Sequence, residues 1–312
     1  MIVVEELAKG VKVVRPATRA AYPYSNSLYI DDEIKTLIDA GAGCQAYQPV
    51  NPEGVDLLLL THYHFDHTHG TSLFPGAKIM TGREEAAAYS DPEFFYGISG
   101  LARWERWMEK PRSHGFSSVQ LPEDVLAVPG YRFIHLSGAF EDGQVLDLGR
   151  VRLTALHTPG HTCGHYSFWL EKEGILFSAD LDLAGQGPWY GDGSSDFSAL
   201  VDSVQRLLEM DPVILVTSHR RVFHRDRDDI KASLKNYLQI ALKREDAIHA
   251  LLDVPRSREE IAASEKVFTR KAISEYEVFW NQVMTYQHLL RLEASGRITA
   301  IDGVNKFVRT GG

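Results

Sequence analysis

Short apolar runs of strand length fill the first two thirds of the chain, and apolar repeats at helical spacing fill the last third. Segments 11–14, 27–30 and 34–38 read as strands of a β-meander, the last two divided by Asp31 and Asp32 and the last followed by Gly41 and Gly43. Leu57, Leu58, Leu59 and Leu60 form an unbroken apolar run, the pattern of a buried strand. Residues 78–80 predict a further strand, and 83–89, rich in Ala and Glu, a short helix. Alternation returns at Leu146 and Leu148 and at Val151, Leu153 and Ala155, predicting two strands joined at Gly149 and Arg150. Residues 166–170 and 175–179 predict a second hairpin around 171–174, and 213–218 a further strand. Phe197, Leu200, Val201, Val204, Leu207 and Leu208 recur at helical spacing behind Asp196, a capping residue type. Beyond residue 225 the pattern predicts helices over 230–252, 258–266 and 276–294, then two short strands over 297–308 about Asp302 and Gly303.

The change of period suggests a larger domain over 1–225 and a small, mainly helical one over 226–312. Residues 90–143 are the least regular stretch, with Pro92, Pro111, Pro122 and Pro129 among Phe94, Phe95, Tyr96, Trp104 and Trp107. Such a stretch builds a satellite core or a homodimer contact, or else the wall of a pocket.

Composition is that of an ordinary globular protein: 312 residues, 44% hydrophobic and 24% charged. The first residues lack the basic and apolar regions of a signal peptide, and no run reaches the roughly 18 to 20 apolar residues that span a bilayer. The expectation is a cytoplasmic protein without a membrane partner, its Cys44 and Cys163 reduced. The net charge of −9 is uneven, with 18 basic against 29 acidic residues through 224 and 15 against 13 beyond. An acidic main domain makes nucleic acid a poor partner and a small-molecule substrate the better one.

The stretch Thr61 to Gly70, THYHFDHTHG, directly follows the leucine run and holds His62, His64, Asp66 and His67 within six residues. Imidazoles and a carboxylate crowded at a strand end compete for partners unless a cation gathers them. Two imidazoles supply half of a tetrahedral site, and a carboxylate with an imidazole half of another. Further ligand types stand at the ends of later apolar runs: His161 in HTPGHTCGH, Asp180 after 175–179, and His219 after 213–218. That edge is where layered α/β proteins build their sites.

The block and its later partners resemble the metallo-β-lactamase superfamily, whose signature HxHxDH stands here as His62-Tyr63-His64-Phe65-Asp66-His67. Asp39 in TLIDAGAG also matches the family's early strand-end aspartate. The resemblance covers residues 1 to about 225 and implies an α/β fold, a four-layer αββα sandwich. It implies His62, His64 and His161 on one divalent ion, Asp66, His67 and His219 on a second, and Asp180 bridging the two. Zinc is the first choice of metal, with iron and manganese as alternatives. A hydroxide shared by the ions would attack an ester, thioester or lactone, as in glyoxalase II and the acyl homoserine lactone lactonases, with Asp66 also placed to relay a proton. The alternatives within the superfamily are a mononuclear iron persulfide dioxygenase using His62, His161 and Asp180, and a nuclease. The C-terminal helices and hairpin resemble the small winged-helix-like domain appended to some of these hydrolases. Arg291 on the last helix is offset by Glu277 and Glu293, which favours packing or dimerisation over reading DNA.

Three further expectations concern neighbours of the block. Tyr190 reads either as a donor to a developing oxyanion or as an aromatic lid or core contact. Cys163 could serve as a soft ligand but is surplus to the set. His69, His157, His165 and His224 are expected to orient a ligand, cap, or face solvent.

Overall fold

The computed structural model describes residues 3–112, 120–301 and 303–310. One sheet takes its strands in chain order: β1 (Val4–Ala8), β2 (Val11–Val14), β3 (Ser27–Ile30), β4 (Thr36–Ile38), β5 (Leu57–Leu60), β6 (Lys78–Gly82) and β7 (Gly138–Phe140). β2 to β4 form the expected antiparallel meander, β1 adds an antiparallel strand at its edge, and β4 to β7 run parallel. The second sheet holds β8 (Val145–Asp147), β9 (Arg152–His157), β10 (Tyr166–Leu170), β11 (Ile175–Phe177), β12 (Ile214–Val216) and β13 (Phe223–His224). Its neighbours are antiparallel except β11 and β12, which are parallel. The helices are α1 (Phe65–Thr68), α2 (Pro92–Ile98), α3 (Trp104–Met108), α4 (Phe197–Met210), α5 (Ile230–Leu251), α6 (Arg258–Ala262) and α7 (Glu275–Ala294). A hairpin of β14 (Ile298–Ile301) and β15 (Lys306–Arg309) follows.

Successive side chains of a strand point to opposite faces, so a strand covered on both sides must be apolar throughout. In β5, Leu57 and Leu59 enter the core between the sheets with Phe168 and Phe177, while Leu58 and Leu60 pack outward with Tyr47 and Phe74. The second sheet repeats this: Leu176 and Leu215 turn outward beneath Leu200, Val204 and Leu207 of α4. The layers are helices and turns, sheet, sheet, helices. Asp196 caps α4 by accepting from the Ala199 N–H at 3.0 Å.

The third period of the chain does not stand apart from these layers. Ile230, Leu234 and Tyr237 of α5 belong to the core on the second sheet, and Ile248 to a smaller core with Leu289, Leu292 and Ile298. The 90–143 stretch divides by residue. Trp104 and Trp107 close a satellite core with Phe279 and Val283 of α7, whereas Phe95 and Tyr96 of α2 line the main cavity. Residues 113–119 of that stretch, and Asp302 of the terminal turn, lie outside the described residues.

Some expectations shift. β1 was not legible as a strand, yet it pairs with β2 as an edge. Residues 83–89 wind as a 3₁₀ helix, with Glu85 drawn inward by two backbone N–H groups. α6 stops at Ala262 because the chain turns at Ser264 to bury Val267. Phe168, fully buried between the sheets, tests the sandwich: Phe168→Ala should cost about 3 to 5 kcal/mol in denaturant unfolding. Val145→Ala, on an exposed edge, should stay within about 0.5 kcal/mol.

Candidate metal centre

Each ligand-type side chain sits where a strand stops. Past Leu60, the Thr61 N–H and hydroxyl both donate to the Asp39 carboxylate at 2.8 Å, turning the chain out of the sheet. His64 is extended, and α1 begins at Phe65, so His62 and His64 fall on one side of the turn and Asp66 and His67 on the other. On the second sheet Phe177 pairs with Val216 in parallel register. The Ser178 N–H still donates to Val216, and beyond that pair the two chains splay to deliver Asp180 and His219 to one edge.

The predicted residues converge as two groups. Ligand atoms of His62, His64, His161 and Asp180 all lie within 4.8 Å of one another, as do those of Asp66, His67 and His219. Asp180 reaches both groups: its Oδ2 is 3.4 Å from His161 Nε2 and 3.3 Å from His219 Nε2, and its Oδ1 is 3.0 Å from His67 Nε2. His219 Nε2 also lies 3.4 Å from Asp66 Oδ2. His62 Nε2 and His219 Nδ1 are buried and have no hydrogen-bond partner, and His67 Nε2 and Asp180 Oδ1 have only each other within reach. Buried polar atoms aimed at a common space and left unsatisfied fit a cation, and nitrogen with carboxylate oxygen suits zinc, iron or manganese.

The far side of three of the imidazoles is held. His67 Nδ1 lies 2.7 Å from Asp39 Oδ2, His161 Nδ1 donates to the Trp189 carbonyl at 3.0 Å, and His64 Nε2 donates to Asp192 Oδ2 at 2.7 Å. Such bonds fix the tautomer and leave the other nitrogen free for a metal. Asp192 Oδ2 also accepts from the Tyr63 hydroxyl at 2.5 Å. His165 is the orienting histidine among the four considered: its Nε2 accepts from the Asp180 N–H at 3.1 Å, and its Nδ1 donates to the Thr158 carbonyl at 2.9 Å. His69 and His157 donate to the carbonyls of Gly41 and Cys163, and His224 lies on β13.

Charge follows from this packing. Burial pushes His62 well below its ordinary pKa and His161 down to about 4, leaving both neutral and able to donate lone pairs near pH 7. Burial also opposes charge on His219, but Asp180 and Asp66 outweigh it and push the group up to about 9. The carboxylate end of the site thus demands positive charge. Burial raises the Cys163 thiol to about 12, and Cys163 belongs to neither ligand group.

A cavity of about 770 Å³ opens on the centre. Asp66, Asp180, His64, His161 and His219 line one end, and Tyr22, Phe65, Phe95 and Trp189 contribute apolar wall. Tyr190 is absent from it. Its ring packs on Phe197, and its hydroxyl accepts from Arg244 at 2.6 Å and lies 2.7 Å from His288 Nε2. Of the two expectations for Tyr190, oxyanion donor and core contact, the geometry corresponds to the core contact.

Sequence reasoning passed over Asp192, the Trp189 carbonyl and Glu85. Glu85 accepts from the N–H groups of Tyr63 at 2.9 Å and Gly164 at 2.7 Å, tying the two ligand-bearing loops together. Burial pushes its carboxyl up to about 7. A Glu in an Ala-rich segment carries no signal of this role.

Removing the support without touching a ligand should weaken metal binding. Asp192→Ala and Asp39→Ala are each expected to lower metal affinity by about 10- to 100-fold, read by competition with a chromophoric chelator. Cys163→Ser should leave metal content unchanged, and iodoacetamide at pH 8 should leave Cys163 unlabelled in the folded protein because the thiol stays protonated.

The Metallo-beta-lactamase superfamily profile matches residues 22–219. The acyl-coenzyme A thioesterase MBLAC2 of Gallus gallus is 29% identical over 187 residues, 56% of this chain and 62% of that protein, so the match spans less than two thirds of that relative. The probable metallo-hydrolase YqjP of Bacillus subtilis is 25% identical over 293 residues, 85% of this chain and 86% of its own. Among solved structures, the metallo-beta-lactamase family protein TTHA1429 from Thermus thermophilus superposes with a TM-score of 0.75 at 23% identity, covering 98% of this chain and 100% of that one. That likeness concerns the fold. With the ligand block and the layered sheets inside the matched span, the chain belongs to the metallo-beta-lactamase superfamily.

Proposed function

We propose that the chain hydrolyses a thioester, or a related ester or lactone, at a centre holding two divalent ions. The observation that carries this reading is Asp180, one carboxylate within 3.4 Å of imidazoles from both ligand groups. His62, His64 and His161 would hold one ion, Asp66, His67 and His219 the other, and Asp180 both, with zinc the first choice. Bound there, the ions supply Lewis acidity, lowering the pKa of water toward neutrality and polarising a carbonyl. The named activity of MBLAC2 is what favours a thioester among the carbonyl substrates.

The remaining work falls to the chain's own groups. Asp39, Asp192 and the Trp189 carbonyl keep the imidazoles oriented so that the reacting edge is set before substrate arrives. The apolar wall takes the acyl portion and limits water to the reacting end. Asp66 faces the cavity, and we assign to it the relay of the proton released by the attacking water to the departing sulfur or oxygen. Tyr190 has no part in this scheme.

Protein purified without added metal should carry two ions per chain by elemental analysis. It should release thiol from acyl thioesters, and chelation should abolish that release. Asp180→Ala or His219→Ala should lower kcat/KM by roughly 10³-fold or more, with the fold intact by circular dichroism. One iron per chain with oxygen consumed on a persulfide would overturn the hydrolase reading in favour of a dioxygenase.

A further inference from the structure

We infer that Arg132 forms an anion-recognising subsite in the cavity, taking a carboxylate or phosphate carried by the substrate. Arg132 lines the cavity with Ile134 and Tyr89 and belongs to neither ligand group. Its guanidinium is half-buried and makes two hydrogen bonds, to the His69 carbonyl at 3.3 Å and to the Thr68 carbonyl. Its Nε is buried without a hydrogen-bond partner. Among the described residues no carboxylate forms an ion pair with it, whereas Arg150, Arg206, Arg221 and Arg258 each have one.

That isolation is informative in a main domain with 29 acidic and 18 basic residues through 224. Withdrawing a cation from water without a counterion is costly, so a partner is missing from the set the chain itself supplies. A guanidinium offers five N–H groups in a rigid fork that matches carboxylate and phosphate oxygens. The Thr68 and His69 carbonyls fix that fork in advance, which reduces the ordering cost of binding. Arg112, exposed on the same cavity, adds a second positive charge. Holding the end of α1 would account for the two carbonyl bonds, but not for a guanidinium on a cavity wall that has no counterion among the described residues. The preferred substrate is therefore amphiphilic, with an apolar acyl part and an anionic group. The word substrate rests on the hydrolase reading; the anion site does not.

The test compares wild type, Arg132→Lys and Arg132→Gln in two measurements. Calorimetric titration with glutathione and with coenzyme A reads anion binding without turnover. Kinetics on one acyl group carried by N-acetylcysteamine, glutathione or coenzyme A reads its use in the reaction. Arg132→Gln should weaken binding of the preferred thiol, and raise KM for its thioester, by about 10- to 100-fold. Its kcat, and the KM of the neutral thioester, should change by less than about twofold. Arg132→Lys, which keeps the charge and loses the fork, should fall between and supplies the answer should Arg132→Gln not fold. Preference for glutathione identifies a carboxylate, and for coenzyme A a phosphate. Equal losses on neutral and anionic thioesters would reduce Arg132 to a brace for α1 and overturn the inference. So would thiols that bind wild type no better than N-acetylcysteamine, or that bind the variants unchanged. If wild type turns over no thioester, the choice of a thioester substrate fails, and if it turns over no ester or lactone either, the hydrolase reading fails; the titrations still decide Arg132.

Discussion

Seven side chains of ligand type converge at one sheet edge, and His62 Nε2 and His219 Nδ1 among them are buried without a hydrogen-bond partner. In a dry interior that arrangement is repulsive, and it opposes the folded state unless positive charge enters. Everything else at the sheet edge is organised around that constraint. The loops that carry the ligands are tied from behind, by Asp39 to Thr61 and His67, by Asp192 to His64, and by Glu85 to both flanking turns. The cost of lone-pair crowding is thereby concentrated at one place, where a metal ion relieves it, and metal binding becomes part of the free energy of folding.

Much of this was legible along the chain. The leucine run and the alternating segments announced a sandwich because burial on two faces leaves only apolar residues in a strand. The HxHxDH block and the single ligand-type residues after later strands pointed to one sheet edge, because the chain must leave a sheet at its strand ends, and the side chains do converge there. The supports were not legible. Asp192 meets His64 across 128 positions, and a lone Asp in a Gly- and Ser-rich loop looks like turn chemistry. Trp189 acts through its carbonyl, which no side-chain pattern records. Tyr190 was misleading for a related reason. Closeness in sequence to Asp180 says nothing about which way a ring turns, and the neighbouring Trp189 took the cavity while Tyr190 took the core. Arg132 carried no signal either, because its partners are the backbone carbonyls of Thr68 and His69.

The helices after residue 225 bear on the centre through contacts that composition did not suggest. The Tyr237 hydroxyl of α5 donates to the Asp180 carbonyl at 3.1 Å, and Trp280 of α7 lines the cavity. Arg244 and His288 hold the Tyr190 hydroxyl, and His288 and Arg291 reach in turn to Glu245. The rows of polar residues on α5 and α7 are therefore a buried seam, with helix packing built around it.

That seam has a consequence for how such a protein can diversify. Tyr190 is the peptide neighbour of Trp189, whose carbonyl steers His161, so the helical segment holds the rear of that imidazole as well as a wall of the pocket. Exchanging the segment for another would alter reactivity and selectivity in one event. New specificities are reached more gently through α2 and the turn around Arg132, which touch the cavity and leave the steering carbonyl alone.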